Sequence, residues 1–137
     1  VQKVSGLWQG GKKVSLSLNP DRKIVIDENG PKATDLVLAG LVGCSSGVFT
    51  MLCEKMRVDI HGLKVTAEAE RATEPPKLFT KISLIYHIDV DKNLENKVIS
   101  AIKLSKKYCT VYNILDQSTE ISVFCYINGV SIEYDEK

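Results

Sequence analysis

Histidine, tryptophan and unbalanced charge are scarce in this chain of 137 residues, and each shortage excludes something. The two histidines, His61 and His87, read as lying on a loop and a strand with no cysteine or carboxylate at ligand spacing, so no metal site is expected. Eighteen basic side chains face 17 acidic ones, for a net charge of +1. No basic run interleaves with aromatics as a nucleic-acid groove requires, which argues against nucleic acid as a partner. The opening VQKVSGLWQGG has no apolar signal-peptide core and reads as mature structure, so a cytoplasmic location is expected. Four cysteines spaced 9, 56 and 16 residues apart make no compact disulfide framework. Any disulfide here is expected to be transient and catalytic.

What is present is one domain's length of chain, residues 1–137, with strands at both ends and helices between. Val4 to Trp8 and Val14 to Leu18 alternate as strands around the turn residues Gln9 to Lys12, and Lys23 to Asp27 adds a third strand. Thr34 reads as an N-cap. From Asp35 to about Arg57 no proline occurs and charge is almost absent until Glu54, which predicts one helix, apolar nearly all round and therefore buried. Ala33 to Cys53 has the length of a membrane span. Asp35, Cys44, Ser45, Ser46 and Thr50 dilute it, however, and the flanking strands need a packing partner, so a soluble core helix with no membrane partner is the better reading.

Gly62 to Ala72 and Phe79 to Val90 alternate as long strands that pair across Glu74-Pro75-Pro76. Asn93 to Ser105 and Thr110 to Gln117 carry helical spacing, with Cys109 expected in the first turn of the second piece. Thr119 to Ile127 is the closing strand, and Asn128-Gly129 turns into a short tail. The class is α+β.

Two thiols invite chemistry. Cys44 is bracketed by Gly43, Ser45, Ser46 and Gly47, small neighbours that leave its sulfur approachable. Cys109 follows Lys106, Lys107 and Tyr108, surroundings that favour a thiolate. Reduction of a hydroperoxide needs one activated thiolate, which becomes a sulfenic acid, and a second thiol that condenses with it to a disulfide. Cys53 lies nine residues from Cys44 on the same helix and points to the other side, so it is no partner for Cys44. Cys125, between Phe124 and Tyr126 in the closing strand, reads as a small buried hydrophobe. Phe49, Met51 and Tyr108 are candidates to line an apolar binding pocket, or are simply core.

The run from Gly30 to Cys44, GPKATDLVLAGLVGC, resembles the first-cysteine helix of the OsmC/Ohr proteins, the osmotically inducible and organic hydroperoxide resistance proteins. Glu70-Arg71, Pro76 to Ile82 and Leu104 to Val111 are similar to the middle and second-cysteine motifs of the general OsmC-like branch. The resemblance implies an OsmC-like fold with two central helices packed between antiparallel sheets, assembled as an intertwined homodimer with sites at the subunit interface. It implies a thiol-dependent peroxidase acting on organic hydroperoxides, with Cys44 attacking and Cys109 resolving. A dithiol such as a lipoyl group recycles the disulfide, and no bound cofactor is implied.

Asp35 stands where the family carries an acidic residue at the helix start. It acts either across the dimer or only as an N-terminal helix charge. The arginine that organic hydroperoxide members supply from the N-terminal region has no counterpart between Ser5 and Lys13. Arg71 is the first choice to replace it, with a strand-face ion pair to a glutamate as the alternative. The missing arginine keeps open a non-catalytic member of the same fold that binds a small molecule or senses oxidants.

Overall fold

The computed structural model describes residues 1–133 and divides the chain into two compact units, residues 1–38 and residues 39 onward. In the first, β1 (Ser5–Trp8), β2 (Val14–Asn19) and β3 (Arg22–Ile26) form an antiparallel sheet in that order. The β1–β2 turn needs Gly10 and Gly11, whose φ values of 96° and 55° disfavour any side chain. The Trp8 indole N–H closes the turn on the Gly11 carbonyl at 3.0 Å.

Helix α1 spans Ala33–Lys55. It begins one residue before the expected cap, so Thr34 lies inside it. The cap comes from Asp35 instead, whose carboxylate accepts from the Lys32 N–H at 2.9 Å. This is the reach-back half of a capping box, and it places a negative charge at the positive end of the helix dipole. The predicted all-round burial does not hold. Only Leu41, Ser45, Phe49 and Cys53 are buried, a single stripe repeating every fourth residue, while Val37 and Met51 remain 41% and 44% exposed. A helix with one packing partner buries one face, however apolar the others are.

In the second unit, β4 (Ile60–Arg71) and β5 (Phe79–Val90) form a long antiparallel hairpin. Ile82, Leu84, Tyr86, Ile88 and Val90 are buried on one face of β5, as the alternation predicts. A turn of 3-10 helix (Lys92–Leu94) leads into α2 (Glu95–Tyr108), α3 (Thr110–Leu115), β6 (Glu120–Ile127) and β7 (Val130–Ile132). The sheet order is β4-β5-β6-β7.

Two expectations change here. The second sheet is mixed rather than antiparallel, because β6 runs parallel to β5 with Leu84 opposite Val123 and Tyr86 opposite Cys125. Parallel neighbours need a long crossover, which the 3-10 turn, α2 and α3 provide. The segment after Asn128-Gly129 is also more than a tail, since β7 pairs with β6; residues 134–137 lie outside the described part. Helix α1 passes a length-and-composition test for a membrane span. Its buried stripe nevertheless packs on protein, with the Phe49 ring 5.4 Å from that of Tyr86 on β5.

Candidate active site

Cys44 lies on α1 and is partly accessible, while Cys109 is 1% exposed at the corner where α2 ends and α3 begins. Cys109 is thus not in the first turn of a helix, as expected, but caps two helices at once. Its extended backbone, φ −75° and ψ 115°, breaks the helical path. Its sulfur then accepts the Tyr112 N–H at 3.4 Å, one of the N–H groups that α3 cannot satisfy internally. Asn113 fixes the corner, donating from Nδ2 to the carbonyls of Lys106, Lys107 and Cys109 at 3.0, 3.3 and 2.8 Å.

The α1 segment that carries Cys44 reaches the Cys109 corner, with the hydroxyl of the adjacent Ser45 3.7 Å from Cys109 Sγ, and the two thiols shift each other's titration. Burial works against ionising Cys44. The backbone N–H of Val111, the Cys109 thiol and the backbone N–H of Thr110 outweigh it, and the thiol titrates below its ordinary value. Cys109 moves the other way, raised by burial and by the neighbouring Cys44. Activation from Lys106 and Lys107 is therefore not what this corner offers Cys109. The Lys107 ammonium lies 5.5 Å from the centre of the Tyr108 ring instead. The result is an asymmetric pair, with Cys44 the earlier thiolate and Cys109 the proton-bearing neighbour. Cys53 and Cys125, both 1% exposed, have their thiols pushed by burial up to about 11 and about 12, with Glu95 adding to the shift at Cys125.

The remaining expected residues disperse. Arg71 is exposed at the end of β4; its Nε donates to the Lys77 carbonyl at 3.0 Å and its guanidinium lies 5.9 Å from the Phe79 ring centre. Among the described residues it forms no strand-face ion pair, and it is not among the groups that shift Cys44. Asp35 is occupied by its cap. Phe49 is fully buried and belongs to the core, not to a pocket wall. Met51, two helical turns beyond Cys44, and Tyr108, 56% exposed beside Cys109, stay accessible. His61 sits on β4 rather than in a loop and does have a carboxylate neighbour, Asp91 Oδ1 at 3.1 Å, whereas His87 stacks on Tyr126.

Three contributors escaped the sequence reading: the α3 amides, Asn113 and Ser45. Backbone amides leave no mark in residue type. Asn113, four residues after Cys109, has the spacing of a side chain that reaches back to helix-end carbonyls. Ser45 falls in register with the apolar residues of the α1 stripe, and its hydroxyl lies 3.7 Å from Cys109 Sγ.

Comparison with known proteins places these residues in a family context. The family model described as OsmC-like protein matches residues 26–124. Protein YhfA of Escherichia coli K12 is 30% identical over 128 residues, covering 89% of this chain and 91% of YhfA. An OsmC-like protein from Mycoplasma pneumoniae superposes with a TM-score of 0.84 at 17% identity, covering 93% and 96% of the two chains. The organic hydroperoxide resistance protein OhrB of Bacillus subtilis does so at 0.66 and 12%, covering 92% and 98%. At these identities the two structures speak to the fold alone, which they share with this chain.

Proposed function

The chain belongs to the OsmC-like family, and from that premise we propose that it is a cysteine-based peroxidase that reduces organic hydroperoxides. The observation that carries the reading is the electrostatically linked Cys44–Cys109 pair, with the thiolate favoured on the more accessible sulfur. The Cys44 thiolate attacks the terminal peroxide oxygen, the O–O bond breaks, and an alkoxide leaves while the sulfur becomes a sulfenic acid. Cys109 gives up its proton, which balances the alkoxide to an alcohol. Its sulfur then attacks that of Cys44, forming the S–S bond and releasing hydroxide, which a solvent proton converts to water. An external dithiol, of the lipoyl kind, returns the pair to its reduced state by thiol–disulfide exchange. Met51 and Tyr108 offer apolar surface to the organic part of the peroxide.

The reaction is tested by adding one equivalent of an alkyl hydroperoxide to the reduced protein and mapping thiols by mass spectrometry. A Cys44–Cys109 disulfide is expected, with Cys53 and Cys125 still reduced. The Cys109→Ser variant is expected to carry Cys44 forward to the sulfinic acid. Unreacted Cys44 under excess peroxide would remove the enzymatic reading in favour of ligand binding.

The protein acts as a homodimer in the cytoplasm on this reading. Exposed apolar residues support the assembly: Val37 and Met51 on α1, and Leu7 and Trp8 on the first sheet, would otherwise face water. A dimer mass is expected in sedimentation at micromolar concentration, and a monomer there rules this assembly out. Asp35 and Arg71, both held by local contacts within one chain, are proposed to influence the thiolate only from a partner subunit.

A further inference from the structure

Ser45 is a polar residue where the fold calls for an apolar one. It occupies the buried stripe of α1 between Leu41 and Phe49 and is 1% exposed. A hydroxyl at such depth costs stability unless it is paired. Four other hydroxyls on the helices pair with the carbonyl four residues earlier: Ser46 with Val42, Thr50 with Ser46, Ser100 with Asn96 and Ser105 with Ala101. Ser45 differs. Its hydrogen bond is to Cys109 Sγ, 64 residues away in the chain and equally buried.

We propose that Ser45 is a positioning residue for the resolving step, holding Cys109 Sγ toward Cys44 and donating its O–H to the Cys109 thiolate once Cys44 has been oxidised. The inference rests on the peroxidase reading above and deepens it. While Cys44 is a thiolate, Cys109 keeps its proton, because burial and the neighbouring Cys44 charge oppose a second anion. Peroxide converts the Cys44 thiolate to a neutral sulfenic acid, so that charge disappears. What remains around Cys109 is donation, from the Tyr112 N–H at 3.4 Å and the Ser45 O–H at 3.7 Å. Both stabilise the anion that must now attack. The resolving thiol is thereby kept protonated until its target exists.

The test separates the two half-reactions in Ser45→Ala. Reduced protein is mixed with one equivalent of alkyl hydroperoxide across a pH series, and sulfenic acid and disulfide are followed by quenched mass spectrometry. Sulfenic acid formation is expected to change less than about twofold, because the Cys44 thiolate and its α3 donors are untouched. Disulfide formation is expected to slow about tenfold, the scale of one hydrogen bond to a charged group. Its pH profile should move up by about one unit, and the sulfinic fraction of Cys44 should rise. An unchanged resolving rate and pH profile would overturn the proposal, as would equal slowing of both steps, which marks general destabilisation. Absence of both sulfenic acid and disulfide in the parent protein rejects the peroxidase reading itself and is a distinct result.

Discussion

Replacing Cys44 with serine is expected to reduce peroxide consumption to the uncatalysed background, a loss of several orders of magnitude. The argument rests on what surrounds the sulfur. Val111 and Thr110 present backbone N–H groups, and Cys109 presents a thiol, to an atom that must carry charge near neutral pH. Donors that lower a thiol into a useful range cannot bring an aliphatic hydroxyl there, because it starts several units higher. Serine at this position has the right shape and no nucleophile. The measurement is initial-rate consumption of an alkyl hydroperoxide with a dithiol reductant. Activity within tenfold of the parent would place the chemistry on another residue. Cys53 and Cys125 are poor substitutes, since burial pushes their thiols to about 11 and about 12.

The two thiols proposed as the reactive pair were legible in the sequence because thiol chemistry announces itself by residue type and because small neighbours flank Cys44. What makes Cys44 acidic was not legible. The motifs point to an arginine for that role, with Arg71 the nearest candidate. In one chain, Arg71 instead holds the connection between β4 and β5. The job falls to peptide N–H groups at the start of α3, which any residue but proline would supply equally. The lysines before Cys109 misled for a related reason. Sequence adjacency to positive charge suggested a thiolate, whereas three dimensions bury that thiol and set it beside another anion.

The same division appears in the fold. Periodicity located every long element and the buried face of β5, because those are local properties of the side-chain pattern. Strand direction is not local. A half-buried strand alternates alike in either orientation, so β6 gave no sign that the crossover through α2 and α3 returns it parallel to β5. That crossover is also what brings the α2–α3 corner to α1. This missed topological feature is the one that assembles the thiol pair.

A single substitution should expose the role of the α3 amides without disturbing the fold. Thr110 is the first residue of α3, where proline is the favoured replacement and where the lost N–H has no helical partner. The preceding residue, Cys109, already has the extended backbone that proline requires before it, with φ −75° and ψ 115°. Thr110→Pro therefore removes one donor to Cys44 and little else. Hydrogen bonds to charged groups contribute about 1.5–3 kcal/mol, and the partial accessibility of Cys44 reduces that effect. Cys44 is thus expected to titrate about one unit higher, with less thiolate at any pH below its midpoint. The sign follows from which form the N–H favours: removing it penalises the anion, so activity falls at low pH and recovers as pH rises. Val111 keeps its N–H, so the shift is partial. The midpoint is read from the pH dependence of alkylation or thiolate absorbance, against Thr110→Ala, which retains the amide and should match the parent. Equal midpoints in the proline and alanine variants would show that the Thr110 amide does not hold the thiolate, and would leave that role to Val111 or to a partner subunit.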